Sequence, residues 1–188
     1  MRRVLIAGLL GALVMIIWLL VADGFLGFRR NIEMKQLPDE RTVYAFLSEH
    51  ATVPGRYVCN PEVLPNQRFP GDDPIFAVHY SGLGHDDAGQ EMILGLVLAL
   101  LASLAGAWLL ANASSRLLSR YGSRVLFFAA VGIVAALLGT MARFGISAYS
   151  LGDAVALGIH DLAAWVLAGL VVAWKVSPAR ERAETTAR

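Results

Sequence analysis

Nineteen consecutive residues, Val4 to Ala22, carry no charge, directly behind Arg2 and Arg3. A helix rises about 1.5 Å per residue, so roughly 20 apolar residues cross a hydrocarbon core of about 30 Å. A secretory signal also opens on basic residues, but its apolar region is shorter and ends in a small-x-small site. Trp18-Leu19-Leu20-Val21-Ala22-Asp23 is a poor site of that kind, so an uncleaved anchor is expected.

Three further apolar spans follow: Met92 to Ala111, Val125 to Ala142, and Ala154 to Trp174. Apolar residues make up 56% of the 188, and mean hydropathy is +0.57. That is too apolar for an ordinary soluble domain. The expected fold is therefore an all-α transmembrane four-helix bundle, interrupted between its first and second helices by a polar insert, Asp23 to Glu91. A net charge of +1 without a basic face or aromatic-basic run excludes nucleic acid as a partner. The single Cys59 excludes an internal disulfide.

The insert carries the signals of a small α+β unit. Asp39 stands at an N-cap position with Glu40 in the first turn after it. Val43, Phe46, Leu47 and His50 then recur at i, i+3, i+4 and i+7, which predicts a helix with one apolar stripe. Pro54-Gly55 ends it. Arg56 to Cys59 and Ile75 to Tyr80 read as strands separated by a loop rich in proline and glycine. One helix and two strands make a thin core in under about 70 residues, so the insert is expected to lean on the helices or on a partner. Phe25, Leu26 and Phe28 are candidates for that contact.

Short cytoplasmic loops carry the Lys/Arg excess, whereas long loops cross the membrane largely regardless of charge. Arg2-Arg3, the loop with Arg116, Arg120 and Arg124, and the tail with Lys175, Arg180 and Arg182 fall on one side of a four-span chain. The expectation is a multi-pass protein of the plasma (inner) membrane with both termini cytoplasmic and the insert extracytoplasmic. The residues from 175 to 188 read as a disordered cytoplasmic tail. Arg29-Arg30, just after the first span, run against this pattern.

His160-Asp161 stands out because it lies inside the fourth span. A carboxylate near a helix centre costs about 2.5–3.5 kcal/mol on insertion scales, so such a group faces protein or water. Asp153, Ala156, His160, Ala164 and Ala168 share one helical face, which turns His160 into the bundle. Two readings compete. In one, His160 handles protons or binds a ligand with Asp161 as its partner. In the other, the pair is a polar clamp in which Asp161 meets Arg143 at the end of the third span. A metal or haem needs further ligands, and there is no second histidine within the spans; a haem on His160 alone or shared with another subunit is the remaining form, and no cofactor is expected. In the insert, His50, His79, His85, Asp72, Asp73, Asp86, Asp87 and Cys59 show no zinc-type spacing. Ser114 and Ser115 lack a nucleophile elbow, and Gly82-Leu83-Gly84 lacks the rest of a phosphate loop.

Small residues recur four apart at Ala102 and Gly106, Ala135 and Gly139, and Gly169 and Ala173. That spacing lets helices approach closely. Leu37-Pro38-Asp39-Glu40, Pro54-Gly55-Arg56-Tyr57, Asp73-Pro74-Ile75-Phe76-Ala77-Val78, and Asp161 with Trp165 and Gly169 resemble segments of small, uncharacterised bacterial four-span membrane proteins. The resemblance runs from Leu37 to the end of the chain and brings no activity, cofactor or catalytic residue with it. With no catalytic constellation in view, the expected function is a non-catalytic accessory or assembly subunit. It would sit in the lipid bilayer and dock onto other membrane protein subunits. The alternatives are a membrane enzyme or ligand-binding protein centred on His160 and Asp161, and a small transporter; four spans without an internal repeat weigh against the last.

Overall fold

The structure is a computed structural model that describes residues 1–59, 76–84, 88–143 and 149–176. Asp72, Asp73, His85, Asp86, Asp87 and the tail beyond Val176 lie outside these residues, as does the side chain of Cys59.

The described chain is mostly helical. Helix α1 (Arg2–Leu19) continues as a π-helical segment, Leu20–Phe25, and a short helix α2 (Phe28–Glu33) follows. Then come α3 (Glu40–His50), strands β1 (Gly55–Cys59) and β2 (Phe76–Tyr80), α4 (Ala88–Ala111) and the four-residue α5 (Ser115–Leu118). Helix α6 (Tyr121–Ala135) runs on through a π-helical segment, Ala136–Thr140, and a 3-10 turn, Met141–Arg143; α7 (Leu151–Lys175) ends the described chain. Four helices are long and apolar enough to cross a membrane: Arg2–Phe25, Met92–Ala111, Tyr121–Arg143 and Leu151–Lys175. Three of them run past their uncharged cores because the flanking polar residues still wind as helix.

These four helices pack with α1 between α4 and α7, and with α6 against α7. Small residues decide where backbones meet. A Cβ on Gly8 would stand 2.9 Å from Leu104 Cα, and one on Gly11 would stand 2.5 Å from Ser103 Oγ, so α1 lies directly on α4. Ser103 uses that closeness, donating to the Gly8 carbonyl at 2.8 Å. Across the bundle, Phe128 is fully buried and fills the space that a Cβ on Gly169 would need, 2.5 Å from its own Cβ. Gly106, Gly169 and Ala173 are buried within the bundle. Gly139 is exposed, and a Cβ there would meet nothing within 4 Å, while Gly132 and Ala136 supply the buried small face instead. The face that packs is set by rotation about the helix axis, which a four-residue spacing leaves free.

In the insert, Asp39 caps α3 by accepting from the Thr42 N–H at 3.4 Å. The strands pair antiparallel from Gly55 opposite Tyr80 to Cys59 opposite Phe76. Burial is thin: α3 contains no buried residue, and Ala51 just after it is at the margin.

Candidate functional site

The site forms at the insert-side end of the bundle, where the two π-helical segments sit beside α7. An α-helix presents a side chain every 100°; a wider i→i+5 winding re-aims the residues it contains, and such segments recur at functional sites. The first is closed by the Leu26 N–H donating to the Val21 carbonyl at 2.9 Å, and it holds Asp23. The second holds Thr140. Gly27, in the left-handed region at φ 64°, then turns the chain into α2 and brings Phe28 and Arg29 back over α7.

His160 is at the centre, its side chain only 2% exposed. Its ring lies between two others: Phe28 stacks on it at 5.2 Å and 11°, and Trp18 packs tilted at 5.5 Å. Each ring nitrogen faces a carboxylate. Nδ1 is 3.3 Å from Asp161 Oδ1, and Nε2 is 3.3 Å from Asp23 Oδ1. The second approach is close enough for charge attraction but off the line of a hydrogen bond, so Nε2 and Asp23 Oδ1 both stay unpartnered, as does Trp18 Nε1.

Arg29 ties the carboxylates together. Its Nη2 donates to Asp161 Oδ1 at 3.1 Å, its Nε is 3.5 Å from Asp23 Oδ2, and its Nη1 is 3.6 Å from Glu33 Oε1. The Thr140 hydroxyl donates to the other Asp161 oxygen. Tyr149 extends the network by donating to Glu33 Oε1 at 2.6 Å. Burial, and then this bond to the Glu33 carboxylate, push the Tyr149 hydroxyl above the usual tyrosine value, with Arg143 pulling the other way. One guanidinium therefore faces three carboxylates. With its three carboxylates ionised the cluster carries net negative charge whether His160 is neutral or protonated.

Of the residues singled out in the sequence, His160 and Asp161 come together here, and Ala164 and Ala168 pack below them against Met15. One expected contact is replaced. Asp161 meets Arg29 and Thr140 rather than Arg143, because the π-helical and 3-10 winding after Ala135 carries Arg143 to Tyr149, whose N–H donates to the Arg143 carbonyl at 3.3 Å. Asp153, two turns above His160, pairs with Lys35 at 3.5 Å instead of joining the cluster. Asp23, Arg29, Glu33, Thr140, Trp18 and Phe28 were not foreseen as site residues. One signal did point to them: a basic pair placed against the charge rule, next to a span, needs acidic partners, and Asp23 and Glu33 flank it.

Among the described residues no group of three or more His, Cys, Asp and Glu side chains is disposed to hold a metal ion. Compared with family models, curated proteins and solved structures, the chain gives no significant match.

Proposed function

We propose that this chain is a bacterial inner-membrane protein that serves as an accessory or assembly subunit, docking its insert onto a larger membrane complex. One observation carries the reading: the insert turns its large apolar side chains outward. Tyr44 is 74% exposed, Phe46 60% and Phe76 62%, and α3 and the hairpin enclose almost nothing between them. A two-stranded sheet with one helix is marginal alone, and exposed apolar surface of this kind marks an interaction site.

The charged cluster supports this reading by rooting the insert. Arg29 and Phe28 of α2 are held to α7, so the chain leaves the bundle at a set place and angle. Arg29, the basic residue that runs against the orientation rule, lies in the long segment between the first two spans, where that rule weighs little. Both termini are then cytoplasmic, with the insert and the His160 cluster towards the extracytoplasmic face.

Gentle detergent purification of the full chain followed by mass measurement tests the proposal. A second protein should co-purify, and replacing Tyr44 and Phe46 by serine should release it. A stable, solitary monomer would overturn the reading. A second reading, a ligand-binding or catalytic membrane protein centred on His160 and Asp161, is favoured by the unpartnered buried Nε2 of His160. Replacing His160 or Asp161 by leucine separates the two: loss of binding or activity with intact assembly favours the second reading, and loss of assembly alone favours the first. An absorption spectrum of the purified protein tests for haem directly.

A further inference from the structure

A neutral imidazole carries one N–H and one lone pair, whereas an imidazolium carries an N–H on each nitrogen. His160 meets a carboxylate on both sides: Asp161 Oδ1 is 3.3 Å from Nδ1, and Asp23 Oδ1 is 3.3 Å from Nε2. The neutral ring donates to one of them only and turns a lone pair to the other, at a distance where two acceptors repel. Nε2 and Asp23 Oδ1 then stand buried and unpartnered, an arrangement that costs free energy and is rare without a reason. A second ring proton removes the conflict, because Nε2 then offers Asp23 a donor while Nδ1 keeps Asp161.

The surroundings of the ring suit a cation. Asp23 reaches it from the end of the first span and Asp161 from α7. From α2, Arg29 touches both carboxylates and also meets Glu33. From the α6 side comes Thr140, which does not titrate and bonds Asp161. One guanidinium against three ionised carboxylates leaves this junction negative. The rings of Phe28 and Trp18, at 5.2 and 5.5 Å, lie within the roughly 6 Å over which an aromatic face attracts a cation. The His160 side chain is 2% exposed, but those of Asp23 and Asp161 are 22% and 24% exposed, so a proton passes to and from water by way of a carboxylate. Phe28 and Arg29 both belong to α2, which is thereby fastened to the group that takes the proton.

We infer that His160 is a proton-operated latch at the root of the insert. A proton taken from water onto the ring completes the second N–H and closes the contact with Asp23, which joins the end of the first span to α7 with α2 held over both. When that proton returns to water, a lone pair faces a carboxylate again, the contact is lost and α2 loosens. The insert follows α2 in the chain, so its placement on the bundle changes with pH. The latch concerns how the insert is held and does not depend on what the insert docks onto, so either proposal can fail without the other.

The test uses the full chain in mild detergent from about pH 5 to 8, the interval in which an unperturbed histidine changes charge. In NMR spectra of protein carrying isotope-labelled histidine, the signals that His160→Asn removes should pass from imidazolium to one neutral tautomer as pH rises; if that variant does not fold, His160→Gln takes its place. Arg30 is an exposed residue of α2. A nitroxide on Arg30→Cys, in a Cys59→Ser background, should become more mobile over the same interval. Its ratio of mobile to immobile label should rise by about tenfold or more, the worth of one charge-assisted hydrogen bond. Asp23→Asn gives a readout that a merely structural role would not move. Its side-chain amide can donate to a neutral Nε2, so it should hold the nitroxide immobile at the upper end of the range, where the parent's is mobile. Three results would overturn the inference: His160 signals fixed in one protonation state, a nitroxide equally mobile at both ends of the range, or the same change in mobility with Asp23→Asn.

Discussion

Along the four long helices, Phe128, Leu110, Leu157, Val172 and Ser103 are fully buried, and glycine or alanine stands at the closest backbone approaches. Among the described residues of α3, the hairpin and the turn between them, only Ala51 is buried, Leu47, Tyr57 and Val78 are half-buried, and Tyr44, Phe46, Val58, Phe76 and Tyr80, all large and apolar or aromatic, are exposed. The difference lies in how each region satisfies its side chains. The bundle packs against itself and leaves its outer leucines and isoleucines exposed, on helices long and apolar enough to cross a membrane. The described elements of the insert, one helix and a hairpin, close no core of their own, so their aromatic residues remain outside. Where the two regions join, neither solution applies, and the chain uses charge: Arg29, three carboxylates and a buried histidine.

That contrast can be broken most forcefully inside the bundle. Phe128→Ala should cost about 3–5 kcal/mol, because it empties a fully enclosed site between α4, α6 and α7. Denaturant titration of the purified protein in detergent measures it, and a loss below about 1 kcal/mol would mean that the bundle is loosely packed. At the junction, Arg29→Met leaves three carboxylates without their cation. The expected loss is about 1–3 kcal/mol, reduced from the fully buried case because Arg29 is 37% exposed. Combining it with Asp161→Asn should cost less than the sum of the two single changes, and strict additivity in that double-mutant cycle would show that the pair does not interact.

Smaller effects sharpen the other side of the comparison. Phe46 is exposed and stacks on the equally exposed His50, and a Cβ on Gly139 meets nothing within 4 Å, so Phe46→Ser and Gly139→Val should both stay within about 0.5 kcal/mol of the parent protein in the same titration. A larger loss from Phe46→Ser would reveal a core that α3 does not show. Tyr149 gives the smallest signal, through pH. Its hydroxyl is held above the ordinary tyrosine value, so the folded state keeps the proton longer than the unfolded chain. The sign follows: as pH rises past the ordinary value of about 10, the unfolded chain loses this proton first, so the stability that Tyr149 contributes is complete below that value and is lost as pH climbs through the raised one. Tyr149→Phe should change the alkaline limb of the unfolding midpoint; an identical limb in both proteins would remove Tyr149 from the network.

Much of the architecture was legible because it follows from local chemistry. The spans follow from uninterrupted apolar runs, α3 from Asp39 and the Val43–Leu47 periodicity, and the strands from their turn residues. His160 and Asp161 were legible for the same reason: polar groups in an apolar helix are conspicuous whatever surrounds them. Arg29 was conspicuous too, but only as an exception to a charge rule, and Thr140 is ordinary in any sequence. Their shared role appears only when α2 folds back over α7 and the second π-helical segment turns Thr140 towards Asp161.

By itself, then, the order of residues determined where the four long helices and α3 lie, roughly how long they are, and which of their groups are costly to bury. Tertiary structure alone decided which partner each such group meets. Asp161 had Arg143 near it in sequence and Arg29 a hundred and thirty-two positions away, and it pairs with the distant one. Pairing across helices depends on rotation about each axis and on where a helix changes its winding; one π-helical segment shifts both, and apolar periodicity carries no record of it.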